Sequence, residues 1–415
     1  MQKKLLTLAV AGALAAPAAA LAQVEVYGTI HMSLNKMKYG EATGGITGSV
    51  SKWDVASHAS NIGVRARENI GGGQTAWIQV ETNASMERSN NVAHTSNFAS
   101  RNSAIGIQGG WGNLFLGQWT TPWADLDALW GIGTVATYGP ITSIIGRRET
   151  TGAAPNPNCA NGGSGVGGVG GGVCDSVEGA GGVGHAFWRR ASNAVSYQSP
   201  VFGGVQLKVL YQTNQDKATA TTANNGSAAA VAADPSLWSA SVQWAGMGGR
   251  LRVGAAYDAH KEFTSVGNTD TGWRVTGGWN FGFADIGLAY EQMTYKTLSS
   301  DCDATQMGVG IAVPIGQGAI RASYSQADDI DGTFTGGTTC GAAGTGDNGA
   351  KQYNVGYDYR FSKRTTVGFG YAHIKNDPFA RFTWSGLSSA NDGQSVTPPN
   401  GSDVTIFFVS MIHRF

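Results

Sequence analysis

The sequence has little charge and no long apolar segment beyond its first residues. Asp, Glu, Lys and Arg together make up 13% of its 415 residues, against ~25% in typical soluble domains. After residue 21, no apolar run approaches the ~18 residues that a membrane helix needs. These two deficits argue against an ordinary soluble protein and against a helical membrane protein.

The sequence also lacks the signs of several other protein classes. Its 28 basic residues balance 28 acidic ones, so the basic excess of a nucleic-acid-binding protein is missing and no nucleic-acid partner is predicted. The seven histidines are scattered without metal-ligand spacing, so neither a metal site nor another cofactor is expected. No G-x-S-x-G motif occurs, and nothing else marks a nucleophile, so we do not expect an enzyme.

The first residues resemble a secretory signal. Lys3 and Lys4 form a basic head, Leu5–Leu21 is an apolar stretch, and small residues at Ala20 and Ala22 suit a signal peptidase. We therefore expect residues 1–22 to be a signal peptide and residues 23–415 to be the exported chain. Its removal takes away two lysines and no acid, which leaves 26 basic and 28 acidic residues.

What is present is glycine, 62 residues of 415, and strict alternation of apolar and polar side chains. Ile62, Val64 and Ala66 share one face of an extended segment, and Arg65 and Arg67 share the other. Side chains alternate across a strand, so such a segment has one apolar and one polar face. This pattern is typical of a strand with lipid on one side and water on the other.

Sixteen segments of this kind follow one another, and their connections alternate between short turns and long polar loops. That rhythm predicts an all-β fold, a sixteen-stranded antiparallel transmembrane β-barrel with both termini on the short-turn, periplasmic side. A soluble β-protein is the alternative, but it would need a second layer over each apolar face. The predicted strands begin near residues 24, 61, 74, 102, 112, 193, 203, 236, 249, 271, 284, 305, 317, 351, 364 and 403.

Several blocks of the sequence resemble the Gram-negative general porins, especially the trimeric sixteen-stranded porins of β-proteobacteria. The resemblance extends over the whole exported chain and depends on the blocks taken together. They are VEVYG (24–28), SNIGVRARENIGGGQTAWIQVET (60–82), RNSAIGIQGGWGNLFLGQWTTP (101–122), SNAVSYQSPVFGGVQLKVLYQ (192–212) and the closing HRF (413–415).

The resemblance implies a pore in the bacterial outer membrane, assembled as a homotrimer. It also implies that the third long loop, residues 120–192, folds into the lumen and constricts it against a basic patch on the wall. The chain departs from the family pattern at Gly117–Trp119, where a basic residue is expected, and in a Gly-rich insertion over residues 152–184. Both departures affect the region that sets pore size in the family.

The polar faces of the strands should line the channel. A charged Arg or Lys at the lipid midplane costs about 2–4 kcal/mol, so these side chains should point to water. About half of them are expected to be solvated wall residues without a role in selectivity. The candidate channel-lining residues are Arg65, Arg67, Glu81, Lys208, Arg252, Arg274, Glu291 and Arg321.

The candidate constriction residues lie in the third loop. Acids there would face arginines on the wall and create a transverse field that favours small polar solutes. Aromatic residues of this region, Trp119, Trp123, Trp130, Tyr138 and Trp188, should mainly anchor the loop, although they could instead stack sugars or aromatic solutes. The constriction candidates are Trp123, Asp125, Asp127, Arg147 and Arg148.

The four cysteines, Cys159, Cys174, Cys302 and Cys340, are an even number in an exported chain, which favours disulfides. Three connectivities are open. Cys159 with Cys174 is favoured because the two flank the Gly-rich tract. Cys302 with Cys340 is favoured because the two lie in neighbouring long loops on one side of the barrel.

The sequence thus predicts an outer-membrane porin for passive passage of small hydrophilic solutes and ions, with a weak anion preference from the inward arginines. Outer-membrane lipid and lipopolysaccharide should surround it. Two alternatives stay open: a substrate-selective channel for sugars or aromatic acids, and a non-conducting structural or adhesin barrel.

Overall fold

The structure is a computed structural model, and most of the chain from Gln23 onward can be described. The described residues are 23–40, 49–84, 86, 98–130, 138–139, 144–145, 187–213, 234–263, 267–296, 301–331, 333–334, 338–339, 347–378, 380, 382–384 and 401–415.

Most of these residues lie in antiparallel strands. The strands are β1 (Gln23–Tyr39), β2 (Val50–Ser57), β3 (Asn61–Gly71), β4 (Gln74–Asn83), β5 (Ser103–Gly109), β6 (Gly112–Thr120), β7 (Arg190–Gln198), β8 (Val205–Gln212), β9 (Ser236–Gly246), β10 (Leu251–Lys261), β11 (Thr269–Asn280), β12 (Asp285–Lys296), β13 (Asp301–Ile315), β14 (Gly318–Ala327), β15 (Thr333–Phe334), β16 (Thr338–Thr339), β17 (Ala350–Arg360), β18 (Thr365–Asn376) and β19 (Val404–Arg414). Two short helices, α1 (Pro122–Asp125) and α2 (Asp127–Trp130), follow β6.

The strands close into a barrel. Each wall strand pairs with its neighbours in chain order, and β1 pairs with β19 from Thr29 opposite Arg414 to Tyr39 opposite Val404. On its other edge β1 pairs with β3 near its start and with β2 near its end, so β2 and β3 together fill one wall position. The small hairpin β15–β16 is a separate two-stranded sheet and is not part of the wall. This leaves sixteen wall positions, which confirms the predicted antiparallel barrel. Among the described residues, no helix is long and apolar enough to cross a membrane.

Strand β2 was not predicted. Residues 50–57 were assigned to a long connection, although Trp53 and Val55 alternate there with Lys52 and Asp54. Trp53 is 65% exposed and Val55 53% exposed, as expected for the outer face. The other strands begin within four residues of their predicted starts.

The alternation in the sequence separates an outer and an inner face of the wall. In β12, for example, Leu288 and Tyr290 are exposed on the outside, whereas Ala289 and Glu291 are buried on the inside. An exposed apolar outer face is the surface that a lipid bilayer covers.

The first and last strands of the wall meet at the short-turn end of the barrel. The N–H of Gly28 donates to the carbonyl oxygen of Phe415 at 3.2 Å, and the N–H of Phe415 donates back to the carbonyl oxygen of Gly28 at 3.1 Å. A Cβ at Gly28 would lie 2.5 Å from the Phe415 ring, so only glycine leaves room for the terminal aromatic side chain. This contact closes the barrel at its last residue.

Apolar side chains also pack inside the barrel. One cluster joins the wall to Trp130, Tyr138 and Ile144, and to Trp384 from the connection between β18 and β19. A second cluster joins Trp123, Leu126 and Phe187 to the inner faces of β10, β12 and β13. These clusters place parts of two long connections against the inner wall.

Candidate functional site

The interior of the barrel has two different sides. On one side, which we call the docked wall, the inner faces of β8 to β13 contact residues 122–130. Its charged residues are Lys208, Arg252, Arg274 and Glu291. On the other side, which we call the open wall, the inner faces of β3 to β6 and of the first residues of β1 carry half-buried and exposed polar groups. Its charged residues include Arg65, Arg67 and Glu81.

The segment that contacts the docked wall begins with a capped helical turn. The side chain of Thr121 accepts a hydrogen bond from the backbone N–H of Ala124 at 3.4 Å, and Pro122 occupies the first turn. Both features favour the start of a helix. The backbone N–H of Trp123 then donates to the hydroxyl oxygen of Ser239 on β9 at 3.2 Å. The chain thus turns onto the inner wall immediately after β6.

Arg274 connects this segment to the wall. Its guanidinium donates to the carbonyl oxygen of Trp123 at 3.0 Å, pairs with the carboxylate of Asp127, and lies 3.5 Å from the carboxylate of Glu291. Arg274 and Glu291 are both fully buried. Trp188, on the return of the same connection, donates its indole N–H to Asp127 at 2.5 Å. The charge of Arg274 is thereby matched inside the protein, so this residue binds the segment instead of facing water.

Two further basic residues of the docked wall contact the same segment. The ammonium of Lys208 lies 2.8 Å from the carboxylate of Asp125. The guanidinium of Arg252 lies 2.7 Å from Asp285 and donates to the carbonyl oxygen of Leu129 at 3.3 Å. Burial raises the pKa of the Asp125 carboxyl, and Lys208 opposes that shift. This carboxyl therefore takes up a proton at a higher pH than an ordinary aspartate does.

Glycines on the inner face make room for the segment. A Cβ at Gly287 would lie 2.2 Å from the carbonyl oxygen of Trp130, and one at Gly278 would lie 2.5 Å from that of Leu129. A Cβ at Gly254 would meet the side chains of Leu129 and Leu126. Because backbone atoms cannot move aside as a flexible side chain can, these glycines fix how closely α2 approaches the wall.

The open wall presents its charges differently. Arg65 pairs with Glu25 at 2.8 Å, and both side chains are more than 40% exposed. The guanidinium of Arg65 also lies 5.1 Å from the ring centre of Tyr27. Arg67 is exposed, and its side chain forms no hydrogen bond or ion pair with other described residues.

Higher on the same wall, Glu81 joins several groups. Its carboxylate accepts from Arg101 at 2.5 Å and from the hydroxyl of Tyr27 at 3.0 Å. Arg321, further round the barrel on β14, pairs with Asp358 of β17 at 2.6 Å. The predicted channel-lining residues therefore divide into paired groups and the exposed Arg67.

The sequence predicts that acids of the third loop face four arginines of the wall, Arg65, Arg67, Arg274 and Arg321. Arg274 does pair with a loop acid, Asp127, whereas Arg65 pairs with Glu25 and Arg321 with Asp358. Asp125 contacts Lys208 and Asp127 contacts Arg274, and among the described residues neither acid forms an ion pair with Arg65 or Arg67. Because the two charges of an ion pair in direct contact neutralise each other, little of their electric field extends across the channel.

The aromatic residues near the third loop have mixed surroundings. Trp123, Trp130 and Tyr138 are at most 1% exposed, as expected for anchors. Trp119 and Trp188 are only half-buried. Sequence reasoning missed Trp77 and Phe115, which lie on the inner faces of β4 and β6, although Trp77 alternates with Ile78 and shares its face with Gln79 and Glu81.

Only some of the remaining predicted residues lie in the described part of the chain. Cys302 is buried and disulfide-bonded, but its partner lies outside the described residues, so the favoured pairings stay predictions. Within the described part of the chain, no group of His, Cys, Asp or Glu residues could hold a metal ion. Also outside the described residues are Arg147, Arg148, Cys159, Cys174 and Cys340.

Comparison with known proteins agrees with this architecture. The sequence profile of the Gram-negative porins matches residues 7–378. The major outer membrane protein P.IB of Neisseria meningitidis serogroup A is 23% identical over 369 residues, which are 88% of this chain and 91% of that protein.

Solved structures show the same fold. The anion-selective porin from Comamonas acidovorans superposes with a TM-score of 0.60 at 20% identity, covering 95% of this chain and all of that one. OmpT of Vibrio cholerae in its trimer form superposes with a TM-score of 0.57 at 14% identity, covering 95% and 99% of the two chains. The protein therefore belongs to the Gram-negative porin family and is a multi-pass β-barrel of the bacterial outer membrane that acts as a diffusion pore.

Proposed function

We propose that the pore passes small hydrophilic solutes and ions with a preference for anions. The observation that supports this preference is the exposed Arg67 on the open wall, next to Arg65, whose ion pair is open to solvent. Basic groups that face the water of a lumen attract anions and repel cations. The basic groups of the docked wall contribute less, because carboxylates neutralise them at close range.

The test is a planar-bilayer recording of the purified protein under a tenfold KCl gradient. We expect stepwise conductance and a reversal potential on the anion-selective side. A cation-selective reversal potential would contradict the preference, and the absence of any conductance would contradict the pore itself.

Residues 120–192 form the constriction loop in this proposal. The contacts of α1, α2 and Trp188 with the docked wall support it, because they direct both ends of this connection into the lumen. Arg274 and Glu291 support the loop in this proposal and do not line the channel, because both are fully buried. The channel-lining residues are Arg65, Arg67, Glu81, Lys208, Arg252 and Arg321.

We also propose how the chain is processed, oriented in the membrane and assembled. Residues 1–22 are a cleaved signal peptide, and the short-turn end of the barrel faces the periplasm. The chain has no catalytic activity. The protein assembles as a homotrimer, which the trimer form of the Vibrio cholerae relative supports.

Outer-membrane lipid, including lipopolysaccharide, covers the outer face in this proposal. A groove of about 830 Å³ on that face is lined almost wholly by apolar groups, among them Phe369 and Phe407. The ammonium of Lys36 lies at the groove, 5.2 Å from the ring centre of Trp53. An acyl chain in the groove with a phosphate near Lys36 would suit this combination.

A further inference from the structure

Three aromatic side chains form a continuous panel on the open wall. Trp77 of β4 and Phe115 of β6 have ring centres 5.4 Å apart, and Trp119 lies 5.0 Å from Phe115 and 5.8 Å from Trp77. They face inward, because their strand neighbours Ile78 and Leu114 are 44% and 45% exposed on the outer face. We call these three residues the aromatic panel.

The panel is fixed in place by the strand between its members. A Cβ at Gly106 of β5 would lie 2.6 Å from the Cβ of Phe115 and 2.7 Å from the Trp77 indole. The indole N–H of Trp77 donates to the side-chain oxygen of Asn113 at 2.8 Å. Contact with Gly106 and this hydrogen bond hold the indole across β5, so the panel is ordered before any solute arrives.

The panel differs from the aromatic residues that anchor the constriction loop. Trp123 and Trp130 are at most 1% exposed and have no surface left for a solute. In the panel, Phe115 is 2% exposed and only supports the other two rings, whereas Trp77 and Trp119 are half-buried. Their remaining surface lies on the inner side of the wall, where a solute in the lumen can contact it.

A cation lies beside the panel. Arg67 of β3 is directly opposite Trp77 in the strand register, and directly opposite side chains have Cβ atoms about 4.5–5.5 Å apart. Arg67 is exposed, so its guanidinium is accessible from the lumen. A guanidinium binds a carboxylate in a planar, two-point geometry that matches the edge of a flat molecule.

We propose that the aromatic panel and Arg67 form a binding site for planar aromatic carboxylates, with benzoate as the simplest member. The ring stacks on Trp77 and Trp119, and the carboxylate pairs with Arg67. Neutral sugars would use the stacking surface but would leave the arginine without an anion. This inference rests on the proposed pore function and adds a solute class to it.

The experiment is a titration of single-channel current with benzoate, at constant ionic strength, in planar bilayers. We expect a saturable block by benzoate. Acetate, which has the charge without the ring, should give no saturable block, and cyclohexanecarboxylate, which lacks the flat π face, should block at a higher concentration.

Two substitutions test the two halves of the site. Trp77→Leu should raise the half-blocking benzoate concentration about two- to tenfold, as loss of an aromatic contact does. Arg67→Gln should raise it by about threefold, and Trp77→Phe should keep most of the block because it keeps a ring. Trp273→Leu removes an outward-facing tryptophan that is 41% exposed and should leave the block unchanged.

The outcomes separate this site from the pore itself. Conductance without benzoate block, or a block that Trp77→Leu and Arg67→Gln both leave unchanged, would overturn the aromatic site and leave the pore intact. If no conductance appears, the pore proposal fails, and calorimetric titration of the detergent-folded protein with benzoate decides the site. There, binding weakened by Trp77→Leu supports the site, and absent binding overturns it.

Discussion

The docked wall and the open wall use the same residue types for different purposes. Arg274 and Arg67 are both arginines at inward positions of alternating strands. Arg274 is fully buried and contacts Asp127, Glu291 and the carbonyl oxygen of Trp123, whereas Arg67 is exposed to the lumen. An inward charge in a pore can therefore hold a loop or face a solute, and its contact partners determine which of these two roles it has.

The largest effect is expected from removing the central cation of the docked wall. Arg274→Met leaves the carboxylates of Asp127 and Glu291 buried without their partner, a kind of loss that costs about 3–5 kcal/mol. The guanidinium-chloride midpoint of the folded barrel should fall, and single-channel current should become noisier as the loop segment loosens.

Arg250→Met is the matched control for this change. Arg250 follows the short turn between β9 and β10 and is exposed, so its loss should move the midpoint little. If Arg274→Met lowered the midpoint no more than this control, the docked wall would not depend on Arg274.

The next largest effect on stability is expected from substituting a glycine of the docked wall. Gly287→Ala places a Cβ 2.2 Å from the carbonyl oxygen of Trp130, so the two atoms clash. Such overpacking typically costs about 1–3 kcal/mol of folding free energy. We expect α2 to be displaced and the single-channel conductance to change together with the unfolding midpoint. Gly110→Ala, at a turn where a Cβ meets nothing within 4 Å, should change neither.

The Lys208–Asp125 pair should have a smaller, pH-dependent effect. Lys208→Met removes a charge-assisted hydrogen bond and should cost about 1–2 kcal/mol near neutral pH. Burial already raises the pKa of Asp125, and loss of Lys208 removes the attraction that opposes this shift. Because a carboxyl with a raised pKa is destabilising only while charged, the deficit should shrink as pH falls through that pKa.

Unfolding midpoints of the wild type and Lys208→Met, measured between neutral and acidic pH, check this prediction. A deficit that stayed constant over the whole range would show that Asp125 does not titrate as its surroundings require. A deficit that grew on acidification would reverse the expected sign.

Much of the barrel could be predicted from sequence because its signal is local. Alternation such as Ile62, Val64 and Ala66 against Arg65 and Arg67 is set by the strand itself. Strand β2 was missed because Lys52 and Asp54 made this segment resemble a polar loop. The alternation of these charged residues with the outward-facing Trp53 and Val55 is the pattern that would have predicted the strand.

The division of the lumen into two walls could not be predicted in this way. Asp127 and Arg274 are 147 residues apart in sequence, and nothing near either residue marks the other as its partner. The same is true of the aromatic panel, since Trp77 and Phe115 are brought together by the pairing of β4, β5 and β6. Alternation predicts that a side chain faces inward, but only the path of the loop determines what it meets there.

The reversal potential of Arg67→Gln under a tenfold KCl gradient tests whether the open wall sets the anion preference of the pore. A unit charge about 6 Å from an ion in water contributes about 0.7 kcal/mol, which screening in ~0.1 M salt reduces to about 0.4 kcal/mol. Because the charge attracts the anion and repels the cation by this amount, their permeability ratio changes by about three- to fourfold. We expect the anion-to-cation permeability ratio to fall by about this factor while the unfolding midpoint stays within error of the wild type. An unchanged reversal potential would contradict the assignment of selectivity to the open wall.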